Sequence, residues 1–300
     1  MKKALFIYFT LLGVTLLSCK KDNHTKTNPT GKLYPVSFSL SGFTSTIDPI
    51  EQNSKIKVNT VDPSASTVVK LIYKLFDSNN SLKKTLIINK GAPNFGTIAD
   101  SLVAGTYTAA FVGLTDTIPA DFGDTGLIFN YRTYAYFPET FYSNVHFTVG
   151  NTSVQQNSVL KRLNSEIQVV IKDAIPSGVS RINITVLGAY QACTYLDGKS
   201  TGSNTGGTSS TPVTNANVGT TNFPLSPVTR LFNNTSTVTI LIDAISPNGT
   251  DVAFKTINNV TLQPNVRTIL TGNVFSNDGS PGGFAVSFDS NYSGNLSQGF

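Results

Sequence analysis

The sequence predicts an all-β chain of two tandem antiparallel β-sandwiches, and three observations carry that prediction. Apolar residues recur at every second position, as in Val36, Phe38 and Leu40 against Ser37, Ser39 and Ser41, which is the period of a strand with one buried face. No stretch sustains the helical period with capping residues at its ends. Only 13% of the residues are charged, against about 25% in an average soluble protein, and Gly, Ser, Thr and Asn fill the intervals between apolar positions. The 300 residues, 39% of them hydrophobic, suffice for about two packed domains. The net charge of +5 is spread thinly, with no Lys/Arg cluster beyond residue 21, so a nucleic-acid-binding face is disfavoured. Two cysteines and two histidines remove most zinc sites and disulfide frameworks.

The chain opens with Lys2 and Lys3 ahead of an apolar run from Ala4 to Leu17, the layout of a signal peptide. That run is shorter than the about 20 residues a membrane-spanning helix needs. It ends in Leu16-Leu17-Ser18-Cys19, which resembles the lipobox of bacterial lipoproteins. The resemblance implies that residues 1–18 are removed and that Cys19 becomes the acylated (palmitate-bearing) first residue, holding the protein on a membrane without spanning it. The next residues, Lys20-Lys21-Asp22-Asn23, resemble the export tags that send Bacteroidota lipoproteins to the outer face of the outer membrane. Residues 19–32 have no apolar periodicity and read as a flexible tether, to which His24 belongs.

The strands follow in order. Val36 to Ser41 opens the first sandwich, expected over residues 33–157. Ile56 to Asn59 reads as a strand, and so does Val69-Leu71-Tyr73-Leu75 with Lys70 and Lys74 on the opposite face. Asp77-Ser78-Asn79-Asn80 is hairpin-like, and Tyr107-Ala109-Phe111 follows the turn at Ala104-Gly105. Tyr134 to Asn144 admits one helical turn or an irregular crossover. After Gly150-Asn151-Thr152-Ser153 the series restarts, and a second sandwich is expected over residues 158–300. Its strands are Ile167-Val169-Ile171, with Glu166 turned to solvent, then Ile182-Ile184-Val186, Val238-Ile240-Ile242, Val266 to Leu270 and Phe284-Val286-Phe288. Residues 198–221, almost purely small and polar, read as a mobile loop.

Several segments together resemble the fimbrillin-like lipoproteins of Bacteroidota, the FimB-type anchor or accessory subunits of type V pili. Val36-Ser37-Phe38-Ser39-Leu40-Ser41-Gly42-Phe43 resembles their first strand, and Phe95-Gly96-Thr97-Ile98 through Ala104-Gly105-Thr106-Tyr107 the hairpin that follows. Tyr136-Phe137 and Phe141-Tyr142 before His146-Phe147-Thr148-Val149 resemble their aromatic junction. Val159-Leu160-Lys161-Arg162-Leu163 resembles their lead into the second domain. Leu262-Gln263-Pro264-Asn265 with Thr268-Ile269-Leu270-Thr271-Gly272-Asn273-Val274-Phe275 resembles their last strand pair. The resemblance implies transthyretin-like sandwiches, lipid attachment through Cys19, a place on the cell surface, and pilin-like subunits as partners by strand addition. It implies surface assembly or adhesion, with no cofactor.

Sites for chemistry are sparse. His146 is the sole histidine of the folded region and sits on a strand surface, which argues against a catalytic triad. Beside the aspartates, Glu51, Glu139 and Glu166 are the carboxylates open to glycosidase chemistry. Asp116, Asp121 and Asp124 share one loop and are oxygen donors of the sort calcium takes, although their spacing is no EF-hand. Cys193 reads as a buried free thiol. The competing function is a carbohydrate-binding surface lipoprotein of a polysaccharide-uptake system. Tyr131, Tyr134 and Tyr136 are its candidate platform in a chain with no Trp.

Overall fold

The computed structural model describes residues 31–42, 44–45, 66–116, 122–131, 138–202, 207–225, 229–232, 237–276 and 284–289. The strand expected at Ile56 to Asn59 and the leader with its tether to Thr30 lie outside them. Residues 32–300 form one compact unit.

The first sandwich stacks two sheets. Strand β1 (Tyr34–Ser41) is the middle of three; β2 (Thr44–Ser45) and β3 (Ser66–Thr67) form a separate short pair. The long sheet begins with β4 (Lys70–Asp77) and β5 (Leu82–Asn89), the hairpin expected from Asp77 to Asn80. After β6 (Thr97–Leu102), which flanks β1, come β7 (Gly105–Leu114), β8 (Phe122–Asp124), β9 (Ile128–Tyr131) and β10 (Thr140–Val149). β11 (Val154–Val159) and β12 (Lys161–Arg162) complete the half; they pair with β1 and β10, so the boundary expected at residue 158 falls inside β11 and the crossing comes after Arg162. The two sheets run β11-β1-β6 and β12-β10-β7-β4-β5. Between them lie Val36, Phe38 and Leu40 of β1, Leu71, Tyr73 and Leu75 of β4, Phe111 of β7 and Phe147 of β10. Thr140 to Asn144, where a helical turn was one expectation, is strand.

The second sandwich starts at β13 (Ser165–Ile171), followed by β14 (Arg181–Leu187), β15 (Ala192–Thr194), β16 (Ser200–Thr201) and β17 (Gly207–Pro212). A single turn of 3-10 helix at Asn215–Asn217 leads to β18 (Phe223–Pro224) and β19 (Thr229–Leu231). The last strands are β20 (Thr237–Ile245), β21 (Asp251–Thr261), β22 (Arg267–Gly272) and β23 (Phe284–Asp289). One sheet runs β18-β13-β22-β23 with β19 also on β13, the other β17-β14-β20-β21. Ile167, Val169, Ile182, Ile184, Ile240, Ile242 and Leu270 pack between them. The sheets are antiparallel apart from two pairs, β1 with β11 and β13 with β22, in which an early and a late strand of each half lie side by side in the same direction.

Two sequence expectations give way here. Residues 198–221 hold β16, β17 and the 3-10 turn in place of one continuous loop. In β17 the alternation is written in small residues: Gly207, Ser209 and Thr211 face inward, and Thr208, Ser210 and Pro212 face outward. Strand geometry needs only that period, so the lack of large apolar residues hid it. Lys74 is 2% exposed although its strand alternates, because β4 is covered on both faces.

The cover on that second face is a four-stranded layer, β16-β15-β9-β8, to which each half of the chain contributes two strands. The joint is antiparallel: Ala192 pairs with Asn130, Cys193 with Phe129 and Thr194 with Ile128. Under it Ile72, Phe76, Val112, Phe129, Cys193, Tyr195 and Phe232 form a third core. Backbone bonds from Tyr131 N–H to Gln191 O (3.1 Å) and from Tyr195 N–H to Leu127 O (2.9 Å) extend the joint at its two ends.

Candidate functional site

Three places gather the residues that the sequence marks for function. The first is strand β1. Its inward residues are apolar by alternation, and Phe38 at its centre meets the Phe111 and Phe147 rings at 5.3 Å and the Tyr73 ring at 5.7 Å. On one side β1 pairs with β11, from Val36 opposite Val154 to Ser41 opposite Val159. On the other it pairs with β6, from Tyr34 opposite Leu102 to Ser39 opposite Thr97. Removing Phe38 costs about 3–5 kcal/mol on the scale of buried aromatic truncations. Tyr73, behind it, donates its hydroxyl to Asp100 at 3.2 Å, and burial, then the Asp100 charge, push its phenol well above the ordinary range. Lys32, the last basic residue before the strand, is exposed, with its ammonium 5.4 Å from the Tyr34 ring.

The second place is the crossing from one half to the other, and it is polar. Arg162 is 3% exposed; its Nη2 donates to Glu139 Oε2 at 3.0 Å and its Nη1 to Asn265 Oδ1 at 3.1 Å. The Arg162 guanidinium lies 5.4 Å from the Phe141 ring. Thr140 N–H donates to Asn164 Oδ1 at 2.5 Å, and Asn265 N–H to Asn164 O at 2.8 Å. Glu166, read from the sequence as solvent-facing, is 0% exposed and accepts from Arg267 Nε. The reason is its register: β13 is paired on both sides, and Arg267 stands directly opposite on β22. Taking away one partner of a buried ion pair leaves the other's charge uncompensated and costs about 3–5 kcal/mol. Arg162 was legible as a motif residue, whereas Glu139 and Asn265 as its partners were not, being 23 and 103 residues away.

The third place holds the proposed calcium and tyrosine groups, and it is built otherwise than the sequence suggested. Asp124 Oδ1 pairs with Lys74 Nζ at 2.9 Å, and its Oδ2 accepts from the Tyr195 hydroxyl at 3.2 Å. The Lys74 ammonium also sits 4.6 Å from the Tyr195 ring. Asp116 lies in the bend after β7, and Asp121 is outside the described residues. Among the described residues no three His, Cys, Asp or Glu side chains converge as a metal site would require. Tyr131, expected as an exposed platform, is 0% exposed, because β9 turns it into the third core, with its hydroxyl 2.9 Å from Thr140 Oγ1. Tyr134 and Tyr136 are outside the described residues, as is Cys19.

The remaining candidates are settled in place. His146 is exposed on β10, with Nδ1 2.8 Å from Thr108 Oγ1. Cys193 is a free, fully buried thiol, and burial pushes its pKa up, which keeps it protonated and unreactive. Among the described residues no helix is long and apolar enough to cross a membrane.

No protein-family model matches the chain, and no curated protein sequence matches it. Among solved structures its fold is similar to that of the fimbrial anchor protein Mfa2 from Porphyromonas gingivalis, with a TM-score of 0.53 at 12% identity over 86% of this chain and 97% of that one. It is also similar to a candidate adhesin from Bacteroides ovatus, with a TM-score of 0.50 at 8% identity over 75% of this chain and 82% of that one. At these identities the likeness is one of fold, carried along most of each chain.

Proposed function

We propose that the chain is a non-catalytic, lipid-anchored surface protein that serves as an anchor or accessory subunit of a fimbrium. The observation that carries this reading is the fold shared with a fimbrial anchor over 97% of that protein's length. The lipobox-like Leu16-Leu17-Ser18-Cys19 supports attachment to the outer membrane through Cys19, with residues 19–32 as tether, a sandwich on either side of the crossing at Leu163 to Ser165, and pilin-like subunits as partners. His146 is bonded to a threonine hydroxyl, an arrangement that suits a strand surface better than a catalytic base.

The state of β1 separates an anchor from a polymerising shaft unit. A shaft unit has to give up a strand to open a groove for strand addition. Here the basic residues nearest to β1, Lys26 and Lys32, both precede it. Cutting at either one frees the lipid and leaves β1 paired on both sides. Mass spectrometry of protein taken from cells is expected to find an acylated Cys19 joined to an intact Val36 segment, and Cys19→Ala to release the protein or leave it unprocessed. Recovery mainly as a form beginning beyond Phe43, or a Cys19→Ala protein that partitions into detergent like the parent, would overturn the reading.

A further inference from the structure

Lys74 is the one buried lysine among the described residues, its side chain 3% exposed on β4 between Ile72 and Phe76 of the third core. Alternation turns it toward the shared layer. There its ammonium has a single hydrogen-bond acceptor among the described residues, Asp124 Oδ1 of β8 at 2.9 Å, and the Tyr195 ring lies 4.6 Å away. An ammonium brings three hydrogens and a full charge, and burying both against one acceptor is costly. The buried Arg162, by contrast, divides its guanidinium between Glu139 and Asn265. An amide nitrogen carries no charge and one hydrogen, which an aromatic face accepts, so it suits this pocket better than an ammonium does.

Asp124 is placed for the same change. Its Oδ1 faces Lys74 and also accepts from Gly126 N–H at 2.8 Å, while its Oδ2 accepts from the Tyr195 hydroxyl at 3.2 Å. Strands of two packed layers thus hold the amine nitrogen beside the carboxyl group, and such fixed proximity replaces a collision between free groups. Burial, then the Asp124 charge, push the Tyr195 phenol well above its ordinary range, which keeps it a hydrogen donor. The Asp124 side chain is 29% exposed, which leaves a small molecule a way out to solvent.

We infer that Lys74 and Asp124 are joined by an amide (isopeptide) bond that the folded chain forms once, within itself. Lys74 passes one ammonium proton to Oδ1, leaving an amine beside a carboxylic acid. The nitrogen lone pair attacks the carboxyl carbon, and the C=O π electrons move onto Oδ2, where the Tyr195 hydroxyl stabilises the charge. A second proton passes from nitrogen to Oδ1, the carbonyl re-forms at Oδ2, and Oδ1 leaves as water. A C–N bond replaces a C–O bond, both protons of the water come from Lys74, and no oxidant or outside group is needed. The bond ties β4 of the first sandwich to β8 of the shared layer, and it rests on no part of the anchor reading.

Tryptic digestion of the denatured full-length protein reads the bond directly, because trypsin does not cut at an acylated lysine. The parent is expected to give peptide 71–83, uncut at Lys74, joined to peptide 91–132 and lighter than the sum of the two by one water. Lys74→Arg, which keeps the charge, and Asp124→Ala are each expected to abolish the joined pair. In pulse-labelled cells Tyr195→Phe is expected to slow its appearance about a hundredfold, as loss of an oxyanion donor does. The parent alone decides the main point, so a variant that folds poorly leaves the test intact. Free peptides 71–74 and 91–132 from the parent would overturn the bond, and a Tyr195→Phe protein that joins as fast as the parent would overturn the route through Oδ2. Acylation of Cys19 is read on a different peptide, so the two readings fail separately.

Discussion

Gly198 shows how closely single residues bind the shared layer to the first sandwich. Its φ of +68° is one that side-chain-bearing residues rarely adopt, and a Cβ built there falls 2.6 Å from Tyr142 Cε1. That ring cannot retreat, because the Tyr142 hydroxyl donates to Tyr195 O at 2.9 Å and its neighbour Asn144 donates Nδ2 to Leu196 O at 2.7 Å. Gly198→Ala is thus expected to destabilise the protein by about 2–4 kcal/mol, the sum of left-handed strain and a clash. Denaturant unfolding checks this, and a loss under about 1 kcal/mol would show that the 195–198 turn moves freely. The residues that sequence reasoning misplaced are of one kind. Lys74, Glu166 and Tyr131 sit at positions where charge or hydroxyl content suggests solvent, yet each is buried against a partner distant in sequence, Asp124, Arg267 and the Phe232 ring. Alternation tells which face a residue takes. It does not tell whether a second layer covers that face.

Among the elements, the β4–β5 hairpin was readable because its turn is made by local chemistry. Asp77 Oδ1 accepts from Asn79 N–H at 2.9 Å and Ser81 N–H at 3.0 Å, Asn80 takes φ +58°, and Lys83 pairs with Oδ2 at 3.0 Å. The Lys83 hydrogen bond, then that from Ser81, hold the Asp77 carboxyl below its ordinary 3.8. A lowered carboxylate pKa gives support that is complete above 3.8 and is lost as pH falls through the folded-state value. The Asn79 and Ser81 amide resonances are expected to move together in an acid titration with a midpoint below 3.8; a midpoint at or above it would show that the turn is not held this way. β1, β14 and β20 were readable for a different reason, since each packs one apolar face against a facing sheet. β15 and β17 were not. β17 has an inward face of Gly, Ser and Thr, and β15 is three residues long and owes its existence to β9, more than sixty positions earlier.

At the scale of the whole molecule, the third core decides how the chain unfolds. Two sandwiches joined only by a linker would melt separately. Here the joint between β9 and β15, the Arg162 network and the apolar contacts of Phe129, Cys193 and Phe232 draw on both halves. One cooperative transition is the expected result of calorimetry. Reductant with chelator is expected to leave its midpoint unchanged, since Cys193 is free and the cores are aliphatic and aromatic. Two resolved transitions, or a midpoint that drops on chelation, would show that the halves are independent or that a metal contributes. The same layer also bears on what happens when the molecule is pulled. A protein held at one end by a lipid and at the other by whatever it grips carries tension along its length, and a lone peptide linker would let the outer sandwich swivel. With β15 zipped to β9, that tension divides between the covalent crossing at Leu163 to Ser165 and a bonded strand pair alongside it, so under the proposed attachment through Cys19 a pull on one half would reach the other without first bending the protein between them.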